Sequence, residues 1–327
     1  MIAMMNLNSY KKTSNMALNS SSAILICMAL FIATPMAAIA ENPAKILIVN
    51  SDASVSKYRE VKSAFTSQIN KQSVRTVEFS IDANHPPEQL QNIIKSENPD
   101  LIFSIGSQAY QLSNQYGETK PILFSSAINW QRFGHRDNTF GIANELSVSQ
   151  ELSLSRYVLP GLNRIGVIYD PKFNSERIAE ARKQASELGL TLIELNSFDA
   201  DSLEKNVEEL LSKIDILWLI ADPSVLSDKE TVEKIFNIST EHKKPIITYS
   251  NAFMSYGASL IIAADTPTMG RQAANMAQNI SLHERINELV QTPAGSHIAL
   301  NVCQLNKINI HYNADALDAV NQIIECK

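Results

Sequence analysis

Small polar residues stand at the ends of several short apolar runs, and their side chains could hold a small polar molecule. Hydroxyls, amides, carboxylates and free backbone N–H groups orient polar solutes in protein pockets without covalent chemistry. In the first half the positions are Ser51, Asp52, Gly106, Ser107, Gln108, Ser125 and Ser126. In the second half they are Tyr169, Asp222, Ser224, Ser250 and Asn251. The alternative is that these residues cap the helices that follow, and the two roles are compatible.

Sequence arrangements typical of bond-making chemistry are absent. The chain has no G-x-S-x-G, P-loop or H-E-x-x-H pattern. His297, Cys303 and His311 lie close in sequence, but their spacing fits strand and loop positions better than a metal site. We therefore predict a protein that is not an enzyme and that uses no cofactor and no metal.

Three phrases of the first half recur in the same order in the second half. AKILIVNSD at 44 resembles NRIGVIYDP at 163, PDLIFSIGSQA at 99 resembles IDILWLIADPS at 214, and KPILFSSAINW at 120 resembles KPIITYSNAFM at 244. Each phrase is a β-branched or aliphatic run that stops at a small polar residue, which is typical of a buried strand in a parallel sheet. The chain therefore reads as two related halves.

The segments between these runs have helical periodicity, so strands and helices alternate along the chain. Examples are SERIAEARKQASELG (175–189) and SLEKNVEELLSKI (202–214). Alternation of this kind predicts an α/β fold with two doubly wound parallel sheets. Further predictions are a helix over 270–290, a strand over 297–303 and a final helix over 316–327. In such sheets ligands bind beyond the carboxyl ends of the strands, so two facing edges would form a cleft.

The two predicted lobes are joined by more than one segment. Lobe I comprises 41–142 with part of about 264–292, and lobe II comprises 143–263 with part of about 293–327. The segment NTFGIANELSVS (138–149) is the predicted hinge, with Gly141 supplying unusual backbone dihedrals, and Ala263 and Ala264 lie in a second connection.

The first forty residues predict a signal peptide. Lys11 and Lys12 precede the apolar run AILICMALFIA (23–33), and Ala38-Ile39-Ala40 offers small residues for cleavage after Ala40. An uncleaved membrane anchor is the alternative. The net charge is −6 for the whole chain and −8 without this segment, which argues against a nucleic-acid partner. We expect a periplasmic protein.

Cys303 and Cys326 remain after the predicted cleavage. In an oxidising compartment they could form a single disulfide. The sequence alone leaves open whether the two Cα atoms lie within bridging distance.

Several motifs resemble those of the ABC-transporter substrate-binding family with the type I periplasmic-binding-protein fold, in the branch for amino-acid-like ligands. NTFGIA (138–143) looks like the family's N-x-T-G-x-S crossing segment, and DTPTMGRQAANMA (265–277) looks like its D-Y-x-x-G-R-Q helix entry. DILWLIADPSVLS (215–227) is similar to a pattern ending in T-D-N-x-x-x-S, with Pro223 in place of Asn. The resemblance covers roughly residues 44–325.

The resemblance implies roles for particular residues. Asp222 and Asp265 would accept hydrogen bonds in the cleft, for example from an ammonium group, and Gly106 with Ser107 would meet a carboxylate at a helix N-terminus. The implied function is capture of a small polar solute for the membrane permease of an ABC importer. The alternative is a ligand sensor that docks on a membrane-bound signalling receptor. We expect a monomer in either case.

Overall fold

The protein is described from a computed structural model, which describes residues 44–69, 74–82, 85–196 and 202–326. The predicted signal peptide and its cleavage site lie outside these residues. No helix in the described ranges is long and apolar enough to cross a membrane.

The first half of the chain builds one parallel sheet with helices on both of its faces. Its elements are β1 (Ala44–Asn50), α1 (Ser56–Ile69), β2 (Val74–Ser80), α2 (Gln89–Glu97), β3 (Leu101–Ile105), α3 (Ser107–Tyr116), β4 (Ile122–Ser125) and β5 (Thr139–Ile142). The strand order β2-β1-β3-β4-β5 is that of a doubly wound fold. Strands such as β3 are buried throughout, so an uninterrupted apolar run is what the position requires.

The second half repeats this topology. Its elements are α4 (Val148–Val158), β6 (Arg164–Ile168), α5 (Pro171–Glu187), β7 (Thr191–Leu195), α6 (Leu203–Lys213), β8 (Ile216–Leu219), α7 (Lys229–Glu241), β9 (Ile246–Thr248) and β10 (Leu260–Ala264). The order β7-β6-β8-β9-β10 matches that of the first sheet position by position. The predicted fold, two doubly wound parallel sheets in tandem, is confirmed.

The remaining elements are divided between the two sheets. They are α8 (Thr266–Ser281), β11 (Val290–Gln291), β12 (Ser296–Asn301), α9 (Val302–Lys307) and β13 (Gln322–Ile324). Helix α8 packs on α1, β11 pairs with β5, and β12 with β13 extends the second sheet beyond β10. The first lobe is defined here as the six-stranded sheet with the helices packed on it, and the second lobe as the seven-stranded sheet with its helices. The exact lobe boundaries stay predictions.

One prediction about this C-terminal part is wrong, and two others are right in type but wrong in their bounds. The described part of the helix predicted over 316–327 is not helical, because β13 pairs with β12 as an edge strand and Ala314–Ala319 forms a 3-10 helix. The helix predicted over 270–290 runs instead from Thr266 to Ser281 and ends where His283 adopts a left-handed backbone conformation. The strand predicted over 297–303 ends at Asn301, whose side chain caps α9 by accepting from the N–H of Gln304.

Gly141 is required for a different reason from the one that the sequence suggests. It is not among the glycines of positive φ in the described chain, and it lies inside β5, paired with β4 and β11. A Cβ added there would lie 2.2 Å from Cζ of Phe124. Gly141 therefore makes room for a buried phenyl ring, and the hinge at this segment stays a prediction.

The disulfide that the sequence left open is present. Cys303 in α9 is bonded to Cys326, two residues beyond β13, and the two Cα atoms are 4.8 Å apart. The bond fastens the last strand of the second sheet to the helix that follows β12.

Candidate functional site

The carboxyl edge of the first sheet is arranged by three predicted site residues. Gly106 has a φ of 93°, and a Cβ at this position would lie 2.5 Å from the Oγ of Ser51, so the backbone passes directly over that hydroxyl. Ser51 Oγ accepts from the N–H of Ala109 at 2.9 Å, and Ser107 Oγ accepts from the N–H of Ile128 at 3.0 Å. These serines therefore hold the start of α3 and the loop after β4 in place.

Three buried polar groups at this edge lack hydrogen-bond partners within the described residues. They are the hydroxyls of Ser125 and Ser126 at the end of β4 and the Nδ2 of Asn50 at the end of β1. Ser126 also has a φ of 57°, a left-handed conformation that is uncommon for serine. Because buried polar groups are normally hydrogen-bonded, these groups are candidates for contact with a polar ligand or with water.

The other two predicted residues of the first lobe are less suited to a cleft. Asp52 is exposed and accepts from both the N–H and the hydroxyl of Ser54, at 2.8 and 2.6 Å. These hydrogen bonds lower the pKa of Asp52. Gln108 is exposed in the first turn of α3. Asp52 therefore holds the turn before α1 and does not cap that helix, which begins at Ser56.

Asp222 organises the carboxyl edge of the second sheet. Its side chain is buried, and Oδ2 accepts from the N–H of Asp170 at 2.8 Å and from Nδ2 of Asn174 at 2.7 Å. Oδ1 accepts from the N–H groups of Ser224 and Val225 at 2.9 and 3.2 Å. Four donors of its own lobe therefore occupy the two oxygens that the family resemblance implied for a ligand.

The hydroxyls of Tyr169 and Ser224 are also engaged within the second lobe. Tyr169 donates to Glu194 Oε2 at 2.8 Å, and burial together with that carboxylate raises the pKa of Tyr169. Ser224 donates to Asp170 Oδ2 at 2.7 Å, which lowers the pKa of Asp170. Both side chains brace the loops after β6 and β8.

The remaining predicted residues occupy helix starts. Ser250 accepts from the N–H of Ala252 at 3.3 Å and caps the 3-10 helix Asn251–Tyr256, at whose start Asn251 is exposed. Asp265 accepts from the N–H of Thr268 at 2.8 Å and caps α8. These are the helix-capping roles that the sequence left as the alternative.

A cavity of about 410 Å³ lies between the two sheets, where the first-lobe loop after β4 meets the start of α5. Asn129, Gln131 and Arg132 line it from the first lobe. The second lobe contributes Ala221 and part of α5. Asn129 Nδ2 donates to the carbonyl of Ala221 at 3.1 Å, so the lobes are in direct contact here. The volume falls within the range of about 300–1,000 Å³ that is usual for small-molecule sites.

The α5 side of this cavity presents a helix N-terminus and charged side chains. Asp170 caps the helix, Pro171 opens it, and Lys172 and Asn174 in the first turn line the cavity. The N–H groups of this first turn are already used, because those of Lys172, Phe173 and Asn174 donate to Asp170. Arg132 and Lys172 both lie in the lining, and neither has an ion-pair partner within 4.0 Å among the described residues.

A buried ion pair lies beside the cavity. The guanidinium of Arg177, which also lines the cavity, is 2.8 Å from Oε1 of Glu151, and Nε1 of Trp218 donates to Oε2 of Glu151 at 3.0 Å. Burial raises the pKa of Glu151, and the charge of Arg177 offsets part of that effect. The pair fixes the guanidinium against the indole ring, 5.4 Å from its centroid.

Glu145, on the segment that links β5 to α4, reaches the cavity from between the lobes. Its Oε1 is buried without a hydrogen-bond partner in the described structure. Burial raises the pKa of Glu145, and Arg177 offsets this only in part. Burial lowers the pKa of Lys57, and the negative charge of Glu145 opposes this shift. Burial also raises the pKa of Tyr249, and the charge of Glu145 adds to that rise. Glu145 therefore interacts through its charge with groups of both lobes.

Sequence reasoning missed the residues that line this cavity. Each of four such residues follows a strand that the sequence identifies, but lies beyond the strand end at which the prediction stops. These residues are Asn129, Glu145, Lys172 and Arg177. In the described part of the chain no cluster of His, Cys, Asp and Glu could hold a metal ion.

Residues 44–324 match the family model of the ABC transporter substrate binding protein. The chain belongs to the ABC transporter substrate-binding protein family. A tyrosine-binding protein of Clostridioides difficile (strain R20291) is 23% identical over 235 residues, which is 69% of this chain and 64% of that relative. This substrate-binding protein therefore matches somewhat less than two thirds of the curated relative's length.

Solved structures share the fold of this substrate-binding protein. One is a ligand-free, open substrate-binding protein with adhesive properties from Clostridium difficile, with a TM-score of 0.68 and 20% identity over 86% of this chain and 100% of that one. Another is an ABC domain from Streptococcus pneumonia in complex with L-Trp, with a TM-score of 0.60 and 15% identity over 86% and 100%. At these identities the likeness establishes the fold alone.

Proposed function

We propose that this protein captures a small amino-acid-like solute between its two lobes and delivers it to the permease of an ABC importer, without making or breaking a bond. The observation that carries the proposal is the charged cavity where the lobes meet, with Asn129 of one lobe bonded to Ala221 of the other. The names of the relatives, one tyrosine-binding and one bound to L-Trp, support an amino acid as the ligand.

Capture would depend on closure of the lobes. The chain passes between the sheets after β5, after β10 and between β11 and β12, and these segments would absorb the dihedral change. A ligand that contacts both lobes stabilises only the closed form and so shifts the population toward it. Members of this family act outside the cytoplasm, which agrees with the predicted signal peptide and a periplasmic location.

The first test is a thermal-shift screen of the purified protein, stripped of retained solute, against the common L-amino acids. Binding at a ligand concentration 100 times Kd would stabilise the folded state by about 2.7 kcal/mol. We expect one chemical class of amino acid to raise the melting temperature. The absence of any shift across the screen contradicts amino-acid capture.

The second test addresses the importer. Cells that lack this protein should lose high-affinity uptake of the amino acid found in the screen. Unchanged uptake contradicts the importer role and favours the alternative, a sensor for a signalling receptor.

A further inference from the structure

The cavity needs an acceptor if its solute carries a protonated amine, and the two carboxylates suggested by the family resemblance are already engaged. Asp222 accepts from four donors of its own lobe, and Asp265 caps α8. An ammonium group is a donor in every N–H direction and requires an acceptor with unused lone pairs. Asp222 therefore has both oxygens occupied, and Asp265, which among the described residues accepts at Oδ2 only, does not line the cavity.

Glu145 meets the requirement for an acceptor with unused lone pairs. It lines the cavity, and its Oε1 is buried without a hydrogen-bond partner among the described residues, which is rare for a carboxylate oxygen in a folded protein. The charged and titratable groups that face it come from several elements. They are Lys57 at the start of α1, Arg177 on α5, Tyr249 after β9 and Glu151 on α4.

The backbone N–H groups of Glu145 and Asn129 and the side chain of Asn144 hydrogen-bond to the carboxylate and lower its pKa, but Oε1 itself keeps no partner among the described residues. Arg177 is held 2.8 Å from Glu151 and contributes to Glu145 through its charge, without a hydrogen bond to Oε1. The same holds for Lys57, which interacts with Glu145 only through charge. A buried carboxylate in this position gains most from a donor that enters with a positive charge.

We propose that Glu145 is the specificity-determining acceptor for a protonated amine on the solute. The opposite charge of a zwitterion would be met by Arg132 and Lys172, which line the same cavity and have no ion-pair partner within 4.0 Å among the described residues. The ligand class is therefore an α-amino acid, in preference to a carboxylic acid or an amine of the same side chain. This inference deepens the proposed function and rests on it.

The location of Glu145 adds a second consequence. The residue belongs to the connection between β5 and α4, so a bond from the solute to this carboxylate would order the segment that must bend as the lobes close. Solutes without the amine would lose the contact and this coupling together.

The test compares matched solutes on the wild-type protein by isothermal titration calorimetry. The probes are L-tyrosine with 3-(4-hydroxyphenyl)propanoate and L-tryptophan with indole-3-propanoate, which differ in the α-amine alone. Loss of one charge-assisted hydrogen bond is expected to weaken binding about 10- to 100-fold. Equal affinity for an amino acid and its deaminated partner overturns the role of Glu145 while amino-acid capture stands.

The matched variants are Glu145→Gln and Glu241→Gln. Glu241 ends α7 and is exposed, so its substitution removes the same charge far from the cavity lining. We expect Glu145→Gln to bind the amino acid about 10- to 100-fold more weakly and Glu241→Gln to bind like wild type. Unchanged affinity in Glu145→Gln overturns the proposal. If that variant does not fold, the comparison of solutes on the wild type decides. If the wild type binds no amino acid, the proposed function fails, and this inference fails with it.

Discussion

Replacing Asp222 by Asn tests whether this carboxylate shapes the second lobe or contacts the solute. An amide has one acceptor oxygen, so its NH₂ group must face the donors of either Oδ1 or Oδ2. On either side at least one of those donors is a backbone N–H, which cannot reverse its direction. The side chain is 1% exposed, so water cannot replace the lost hydrogen bonds.

The expected loss follows from these contacts. A hydrogen bond to a charged group contributes about 1.5–3 kcal/mol, and the local clash affects one or two of them, so we expect Asp222→Asn to lower the free energy of unfolding by about 3 kcal/mol. With an unfolding entropy of about 2.1 cal/mol/K per residue, a loss of this size corresponds to a fall in melting temperature of about 5 °C. The change in melting temperature is measured by following thermal unfolding of the ligand-free protein with circular dichroism.

Asp228→Asn is the matched control. Asp228 caps α7 by accepting from the N–H of Thr231 at 2.8 Å, and asparagine caps a helix as well as aspartate does. The control should melt like wild type. If ligand-free Asp222→Asn also melts within about 1 °C of wild type while losing affinity for the solute, Asp222 is a ligand acceptor, and our account of it is wrong.

Three further predictions concern stability. Substituting Cys303 and Cys326 together by Ser should lower the free energy of unfolding by about 3 kcal/mol, since the bond closes a loop with a sequence separation of 23; equal denaturant midpoints for the variant and the oxidised protein would contradict this. Gly141→Ala should lower the free energy of unfolding, measured by urea titration, by about 1–3 kcal/mol, because the added methyl group overlaps a buried phenyl ring. An unchanged free energy of unfolding would mean that the ring moves aside easily. Arg182 holds the pKa of Glu194 below its ordinary value of 4.5, so the stabilisation from this pair is present above that pH and lost as pH falls through the lower folded-state pKa. Glu194→Gln should flatten this acid limb of the stability curve, and an unchanged limb would refute the assignment.

The fold could be predicted because its central strands are buried on both faces. Runs such as AKILIVN and DILWLIA admit few alternatives, and the strand order follows from their alternation with helices. The C-terminal helix was predicted wrongly because β13 is stabilised by pairing with β12 and by the bond to Cys303, and neither contact is local in sequence. Local periodicity cannot report an edge strand of this kind.

The candidate site was harder to predict, because the role of a carboxylate depends on which donors the fold brings to it. In the sequence Asp222 and Glu145 are both simply carboxylates. In the structure the two oxygens of Asp222 accept from four donors, whereas Oε1 of Glu145 is buried without a hydrogen-bond partner among the described residues. The environment of Glu145 is assembled from both lobes and from the segment between them. Only the three-dimensional structure brings Lys57, Arg177 and Tyr249 around it.

The most direct test of solute capture is a crystal structure of the protein grown with the amino acid that gives the largest thermal shift. We expect electron density for that amino acid in the cavity between the lobes, with its amine at the Glu145 carboxylate and its carboxylate toward Arg132 and Lys172. Density at a different place on the protein, or an unchanged cavity beside a saturating ligand, would contradict it.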